Sequence, residues 1–414
     1  MEIGWIDFSK TDRSKVLNVL DLLEEKRTLD GLGISIIRDF YSNFFFPGTS
    51  TIQTRAKYFF IIPYIFRDFE LSYDTDEEKL EDDFENAERK CAENLLENSP
   101  GESGIIGKRA IDNGEWVQRS PADIYWSGLR KYGFIDENVI FPNDGVNPYD
   151  SKRCTIGDCI QFICNQNELR KEIAGNDESL DSSYPINLFD LSTYEEHWMD
   201  NIDINLTVDE GQILKNQIIS NCENSLFSVI LNENLYEEMI NSDCKYFKDL
   251  ELIILKYPDK FSDELKEKYF DALAFSKFIL DLRVIYNVMV SDEENDEANE
   301  LLGLLDLKED SKVNIERVIS FCEIEDDNLI RFLNQSRQLM QDENVEELKN
   351  VIKEHEIELK GEEHAKTLHP DDFDNDKWYD GYMLDYRFYN AMKIIKDICK
   401  SENGCEVNKD VESE

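Results

Sequence analysis

SDELKEKYFDALAFSKFILDLRVIYNVMV, residues Ser262–Val290, reads as one long amphipathic helix. Ser262 stands where an N-cap belongs. Leu265, Phe270, Leu273, Phe278, Leu282, Ile285 and Met289 then fall on one face at helical spacing. The chain around this stretch repeats the pattern. Thr207 with Glu210 fits a capping box that leads into Ile213, Leu214, Ile218 and Ile219. Further helices are predicted at 313–340, 344–359 and 378–400, with a frayed tail over 406–414.

Upstream, residues 136–205 are rich in Asn, Asp, Ser, Pro and Gly, with one helix predicted near 155–172. Ile202-Asp203-Ile204-Asn205-Leu206 alternates as a short strand would. Helices are predicted over Asp12–Lys26, over Ile34–Phe45, and from a Thr49 or Ser50 cap to Phe69, where Pro63 should kink or divide the last. Leu80, Phe84, Ala87, Cys91 and Leu95 trace a single apolar stripe within the charged stretch 74–98. Ser120-Pro121 places cap and proline in helix-opening order, and Gly133 can end that helix in a left-handed cap. The expected fold is mainly α, in two or three parts with minor short β strands. Its parts are an N-terminal helical domain at 1–135, an irregular segment at 136–205, an acidic helical domain at 206–400 and a tail at 401–414.

The chain has 414 residues, with 90 acidic against 45 basic side chains and a formal net charge of −45. Such a charge excludes a protein that coats nucleic acid or anionic membrane with its whole surface. The opening Met1-Glu2-Ile3-Gly4-Trp5 lacks a signal peptide's basic start, and no apolar run reaches the ~18–20 residues that span a bilayer. A cytoplasmic protein with no membrane partner is therefore expected. Nine scattered cysteines argue for reduced thiols rather than a disulfide scaffold, with Cys154, Cys159 and Cys164 as small core residues.

The charge is unevenly spread. Residues 1–70 carry a net −1 and 101–170 a net −2, whereas the 244 residues after 170 carry −34. The nearly neutral segments hold Arg38, Arg55, Lys57, Lys108, Arg109, Arg119, Arg130 and Lys131, interleaved with Tyr41, Tyr125 and Trp126. Arginine beside exposed aromatics can hold phosphates and stack on bases. The competing reading pairs these arginines with acids of the other half.

Catalytic motifs are sparse. Neither a phosphate-binding glycine loop nor a dinucleotide fingerprint is present, and there are four histidines. His355, flanked by Glu354 and Glu356, reads as a solvated helix residue, because neighbours at i±1 do not share a helix face. His364, Lys366 and Asp371 fit the HxKxxxxD pattern of phospholipase D-type phosphodiesterases, in which a histidine attacks phosphorus and a lysine neutralises phosphate oxygens. That pattern belongs at the end of an apolar strand and in two copies, whereas here Glu362-Glu363 precede a single copy. No cofactor or metal is implied.

Gly4-Trp5-Ile6-Asp7-Phe8-Ser9, Ile37-Arg38-Asp39, the run Phe45 to Phe59, Gly104 to Ala110, and Ser120-Pro121 with Ile124 to Leu129 together resemble an uncharacterised bacterial domain-of-unknown-function family (6361). Leu359-Lys360-Gly361 and Leu384-Asp385-Tyr386-Arg387-Phe388 also fit. The resemblance implies no assigned activity. It implies a setting among mobile and phage-defence gene clusters, near helicase and phospholipase D-like genes.

In physical terms, Pro47-Gly48-Thr49-Ser50-Thr51-Ile52-Gln53 is a turn entering a helix, whose free amides and hydroxyls could receive an anion with Arg55 one turn in. The competing reading is an ordinary cap, with Arg55 paired to Asp39. The expected function is a non-catalytic component of a bacterial defence assembly that binds a partner protein acting on nucleic acid. Its expected surface is made by Arg38, Asp39, Thr49, Ser50, Thr51, Gln53, Arg55, Lys108, Arg109, Tyr125, Trp126, Arg130, Tyr386 and Arg387, with nucleic acid reached through the N-terminal segment. The alternatives are a dimeric phosphodiesterase using His364, Lys366 and Asp371, and an acidic DNA mimic.

Overall fold

In a computed structural model of the chain, the amide of Leu265 donates to Ser262 Oγ at 3.1 Å, and the capped helix runs from Asp263 to Val290. The structure describes residues 30–72, 74–135, 140, 154–176, 188–189, 192–372 and 377–403. The expected helix at Asp12–Lys26, the segment Gly4–Ser9 and the tail 406–414 lie outside them.

Among the described residues there are seventeen α-helices, and the fold is all-α. Those of eleven residues or more are α1 (Ser35–Phe45), α2 (Tyr58–Ser72), α3 (Glu77–Asn98), α4 (Pro121–Lys131), α5 (Ile156–Asn176), α6 (Val208–Asn221), α7 (Asp263–Val290), α8 (Asp327–Gln341), α9 (Val345–Lys360) and α10 (Phe388–Asn403). Two caps read from sequence hold as capping boxes. Ser120 and Asp123 form a reciprocal capping box at α4, and Thr207 and Glu210 form another at α6.

The expected strand at Ile202–Leu206 is absent. Ile202, Ile204 and Leu206 are buried while Asp203 is exposed, so the alternation correctly marks an inward and an outward face. Among the described residues no second strand pairs with it. Its backbone is held by side chains instead, with Ser99 Oγ accepting from the Ile204 amide at 3.1 Å and Asn98 Nδ2 donating to the Ile202 carbonyl at 3.1 Å. The sole β-bridge among the described residues joins Ile135 and Phe189.

The described chain forms two units, each discontinuous in sequence. Residues 42–265 with 387–403 make one, here called the signature unit, and residues 30–41 with 266–386 make the other, the hairpin unit. Their limits cut across the boundaries expected at 135 and 205.

The core of the signature unit is α2, buried without interruption from Tyr58 to Phe66, with Pro63 accommodated inside the helix. Phe59 packs on Tyr125 and Tyr132 at centroid distances of 5.0 and 5.1 Å. Gly128 lets α4 approach the turn at Gly48 closely, since a β-carbon there would stand 2.7 Å from the Gly48 carbonyl oxygen. The α3 stripe also holds, and beside it Glu88 is buried, accepting from the Ala122 amide at 2.7 Å. Burial raises the Glu88 carboxyl to about 8. Cys154, Cys159 and Cys164 are buried free thiols, as expected.

The hairpin unit is built on α7 and on α8 and α9, which a three-residue turn joins into an αα-hairpin. The helix expected over 313–340 is broken into Ile315–Phe321 and α8. Glu323 takes a left-handed conformation between them, and Asp326 caps α8 through the amides of Asn328 and Leu329. The helix expected from 378 begins only at Phe388, because Tyr386 and Arg387 both adopt positive φ.

Candidate functional site

The signature residues turn inward. Thr49 to Lys57 is not the first turn of a helix, which starts at Tyr58. Of the amides expected to be free, those of Thr49, Ser50 and Gln53 are taken. Thr49 Oγ1 donates to the Phe46 carbonyl at 2.6 Å, and Gln53 folds back to accept from the Ser50 amide and donate to the Gly48 carbonyl, each at 3.1 Å. Tyr125 Oη accepts from the amides of Thr54 and Arg55 at 2.8 and 2.9 Å and donates to the Arg55 carbonyl at 2.8 Å. These side-chain partners replace the helix that the Thr49 or Ser50 cap was expected to start.

Arg55 is paired, though with neither an anion nor Asp39. Its Nε donates to both oxygens of Asp397 at 3.1 Å, and its terminal nitrogens reach Glu102, the Ser103 carbonyl and Asn205 at 3.1, 3.2 and 2.9 Å. Burial opposes the charge, but the Asp397 and Glu102 carboxylates prevail and lift the guanidinium above its ordinary value. Lys57 is held likewise by Glu210, 2.7 Å from each oxygen, with Tyr64 donating to the same carboxylate at 3.0 Å. The capping glutamate of α6 is thus also the counter-ion of the signature lysine.

The other expected residues scatter. Arg387 joins the Thr49–Gln53 loop, donating to the Thr49 carbonyl at 2.9 Å, while Asn390 donates to the carbonyls of Thr51 and Gln53. Trp126 is half-buried and donates to the Cys154 carbonyl. Lys108 and Arg109 stand exposed on the short helix Lys108–Asp112, and Arg130 is half-buried. In the hairpin unit, Arg38 bonds Asp39 at 3.2 Å and Tyr386 is buried, donating to the Ala272 carbonyl.

The hairpin unit buries a polar centre of its own. Glu356 accepts from Tyr286 Oη, Lys360 Nζ, and the amide and hydroxyl of Thr367 at 2.7 to 3.0 Å. Burial would raise this carboxyl, but the lysine and these donors hold it below its ordinary value. Asp380 accepts from the Gly31 amide at 2.8 Å, and burial together with neighbouring Asp30 raises it. Arg283 donates to the Tyr382 carbonyl, yet its Nε and Asp30 Oδ2 have no hydrogen-bond partner among the described residues. Lys366 lies 4.6 Å over the Tyr379 ring, its pKa lowered by burial. His364 is exposed in a turn, and Asp371 belongs to the 3₁₀ turn Pro370–Asp372.

His355 corrects an expectation: it is buried, with 3% of its surface exposed. Its ring stacks on Phe332 at 3.9 Å, and Nε2 lies 3.0 Å from the Leu32 carbonyl. A carbonyl only accepts, so Nε2 carries the proton and Nδ1 is left as a lone pair without a partner. Burial holds the imidazole below its ordinary pKa, hence neutral near pH 7.

His355 and Phe332 floor a groove of about 210 Å³ along the hairpin, walled by Asn328, Arg331 and Gln335 of α8 and by Val351, Glu354 and Glu358 of α9. Both sets follow the i, i+3, i+4, i+7 spacing of one helix face. That spacing was visible in the sequence, but the tight turn that brings the faces together was not. Among the described residues no three metal-binding side chains converge.

The molecule is thus an all-α protein in which Arg55 and Lys57 of the signature are closed on internal acids and the hairpin carries an open polar groove. A family of unknown function (DUF6361) matches residues 1–138, which bears out the resemblance over the N-terminal third. Leu359–Gly361 and Leu384–Phe388 lie beyond the match. There Lys360 serves as the buried partner of Glu356, and Gly361 ends α9 at φ 81°. No curated protein and no solved structure matches the chain. No helix among the described residues is long and apolar enough to cross a membrane.

Proposed function

We propose that this chain is a non-catalytic interaction component that docks a basic partner on its hairpin unit. The observation that carries the reading is a charge imbalance. Residues 266–386 hold 32 acidic and 14 basic side chains. Even with every base paired, 18 carboxylates have no counter-ion within that stretch, and side chains such as those of Glu346 and Glu293 are largely exposed. A field of this size steers and retains a positively charged surface and repels nucleic acid. The partner is a protein that acts on nucleic acid, since such proteins present basic surfaces. A helicase or a phospholipase D-like protein in an anti-phage assembly suits the setting that the family resemblance implies.

The same excess of carboxylates suits a DNA mimic, and one experiment separates the readings. Tagged full-length chain is used to capture proteins from a host lysate, followed by elution with rising salt or with duplex DNA. The proposal expects a basic protein that elects to stay bound against DNA and leaves as salt approaches about 0.5 M, where exposed charges are screened. Release by DNA would mark a mimic. Retention of nothing, or retention indifferent to salt, overturns the docking reading.

A further inference from the structure

We propose that the groove between α8 and α9 is a seat for an arginine side chain of the basic partner. The inference rests on the docking reading above and gives it an address.

The lining is rich in acceptors. Glu354 is exposed on the rim, and none of its hydrogen bonds or ion pairs is found among the described residues. Asn328 and Gln335 contribute exposed amides from the facing helix, and beneath them the His355 Nδ1 lone pair is buried without a partner. The cationic member of the lining, Arg331, is already engaged, with its Nη2 2.9 and 2.8 Å from the two oxygens of Glu358. Glu354, Glu358 and Arg331 leave the rim one negative charge in excess, so a carboxylate or phosphate ligand would meet repulsion at Glu354 and a competitor at Arg331.

A guanidinium suits this lining better than an ammonium. It is planar, offers several donors in a fixed fork, and loses less hydration on entering a partly enclosed site. The floor beneath it is the stacked His355 and Phe332 pair, whose rings face each other 3.9 Å apart and so meet the groove with their edges. The Arg331–Glu358 pair shows that the hairpin already accommodates one guanidinium, and Glu354, one turn earlier on the same face of α9, presents the carboxylate for a second.

The test uses full-length protein and two fluorescent decapeptides, one alternating arginine with glycine and the other lysine with glycine, read by anisotropy. Wild type should bind the arginine peptide about tenfold more tightly than the lysine peptide. Glu354→Lys should remove that preference and about tenfold of affinity, while Glu300→Lys, the same charge change at an exposed site on another helix, should stay within about twofold. Glu354→Gln, with its melting temperature checked, gives the same reading if the lysine variant folds poorly. Equal weakening by the two lysine substitutions, or equal affinity for the two peptides, overturns the seat and leaves docking by general acidity standing. No binding of either peptide to wild type overturns both.

Discussion

The two buried polar centres are built to opposite effect. Around Arg55, donors and acceptors close on each other: a guanidinium on Asp397, Glu102 and Asn205, and an ammonium on Glu210. In the hairpin unit, Glu356 is fully engaged, yet Arg283 Nε, Asp30 Oδ2 and His355 Nδ1 are left over. A closed network fixes one fold, because removing any member strands a buried charge. Of the three residues with leftover atoms, only His355 lines the groove. The comparison teaches that residues most recognisable in sequence need not be the ones that face the outside.

The largest expected effect attacks the closed centre. Arg55→Met strands Asp397 in the core and should cost about 3–5 kcal/mol in urea unfolding, a large share of the stability of a typical domain. A ligand-binding arginine would have been removable at little cost. Next comes Gly31→Ala in the hairpin unit. A β-carbon there would stand 2.2 Å from Asp380 Oδ2 and 2.7 Å from the Tyr286 ring, so a loss of about 1–3 kcal/mol is expected by the same measurement.

A pH series probes both units at once. Glu88 in one and Asp281 in the other are raised to about 8 by burial, with Asp310 adding to the rise at Asp281. Their folded forms hold protons that the unfolded chain releases, so this contribution is full below the ordinary carboxyl range and is lost progressively from there up to about 8. Each group should cost up to about 1.4 kcal/mol per pH unit within that window. Glu88→Gln should make the decline shallower in a melting series from pH 5 to pH 8. The smallest effect is expected at the groove. Arg331 and Glu358 are half exposed, and Arg331→Ala should change stability by less than about 1 kcal/mol.

Much of the fold was legible in the sequence. Ser262, Ser120 and the Thr207–Glu210 box set helix starts by local hydrogen bonds that the spacing alone specifies. Two misreadings share a cause, a distant partner. Thr49 looked like a cap, but Tyr125 and Asp397 take the amides that follow it, and neither lies near it in sequence. Ile202–Leu206 alternates as a strand does, yet Asn98 and Ser99 supply its hydrogen bonds. Of the two readings of the basic residues in the signature, Arg55 and Lys57 follow the one that pairs them with acids of the other half, Asp397 and Glu210. His355 looked solvated between two glutamates. Only the return of α9 against α8 buries it on Phe332 and makes the groove.

If the signature centre holds the fold while the hairpin groove meets the partner, mutation separates the two. The direct measurement is arginine-peptide affinity, by anisotropy, for Arg55→Lys and Glu354→Lys, each at a temperature where its melting curve shows it folded. The prediction is that Arg55→Lys melts earlier but binds as wild type does, and that Glu354→Lys melts as wild type does but has lost the peptide. The reverse pattern, with affinity lost at Arg55 and kept at Glu354, would contradict it.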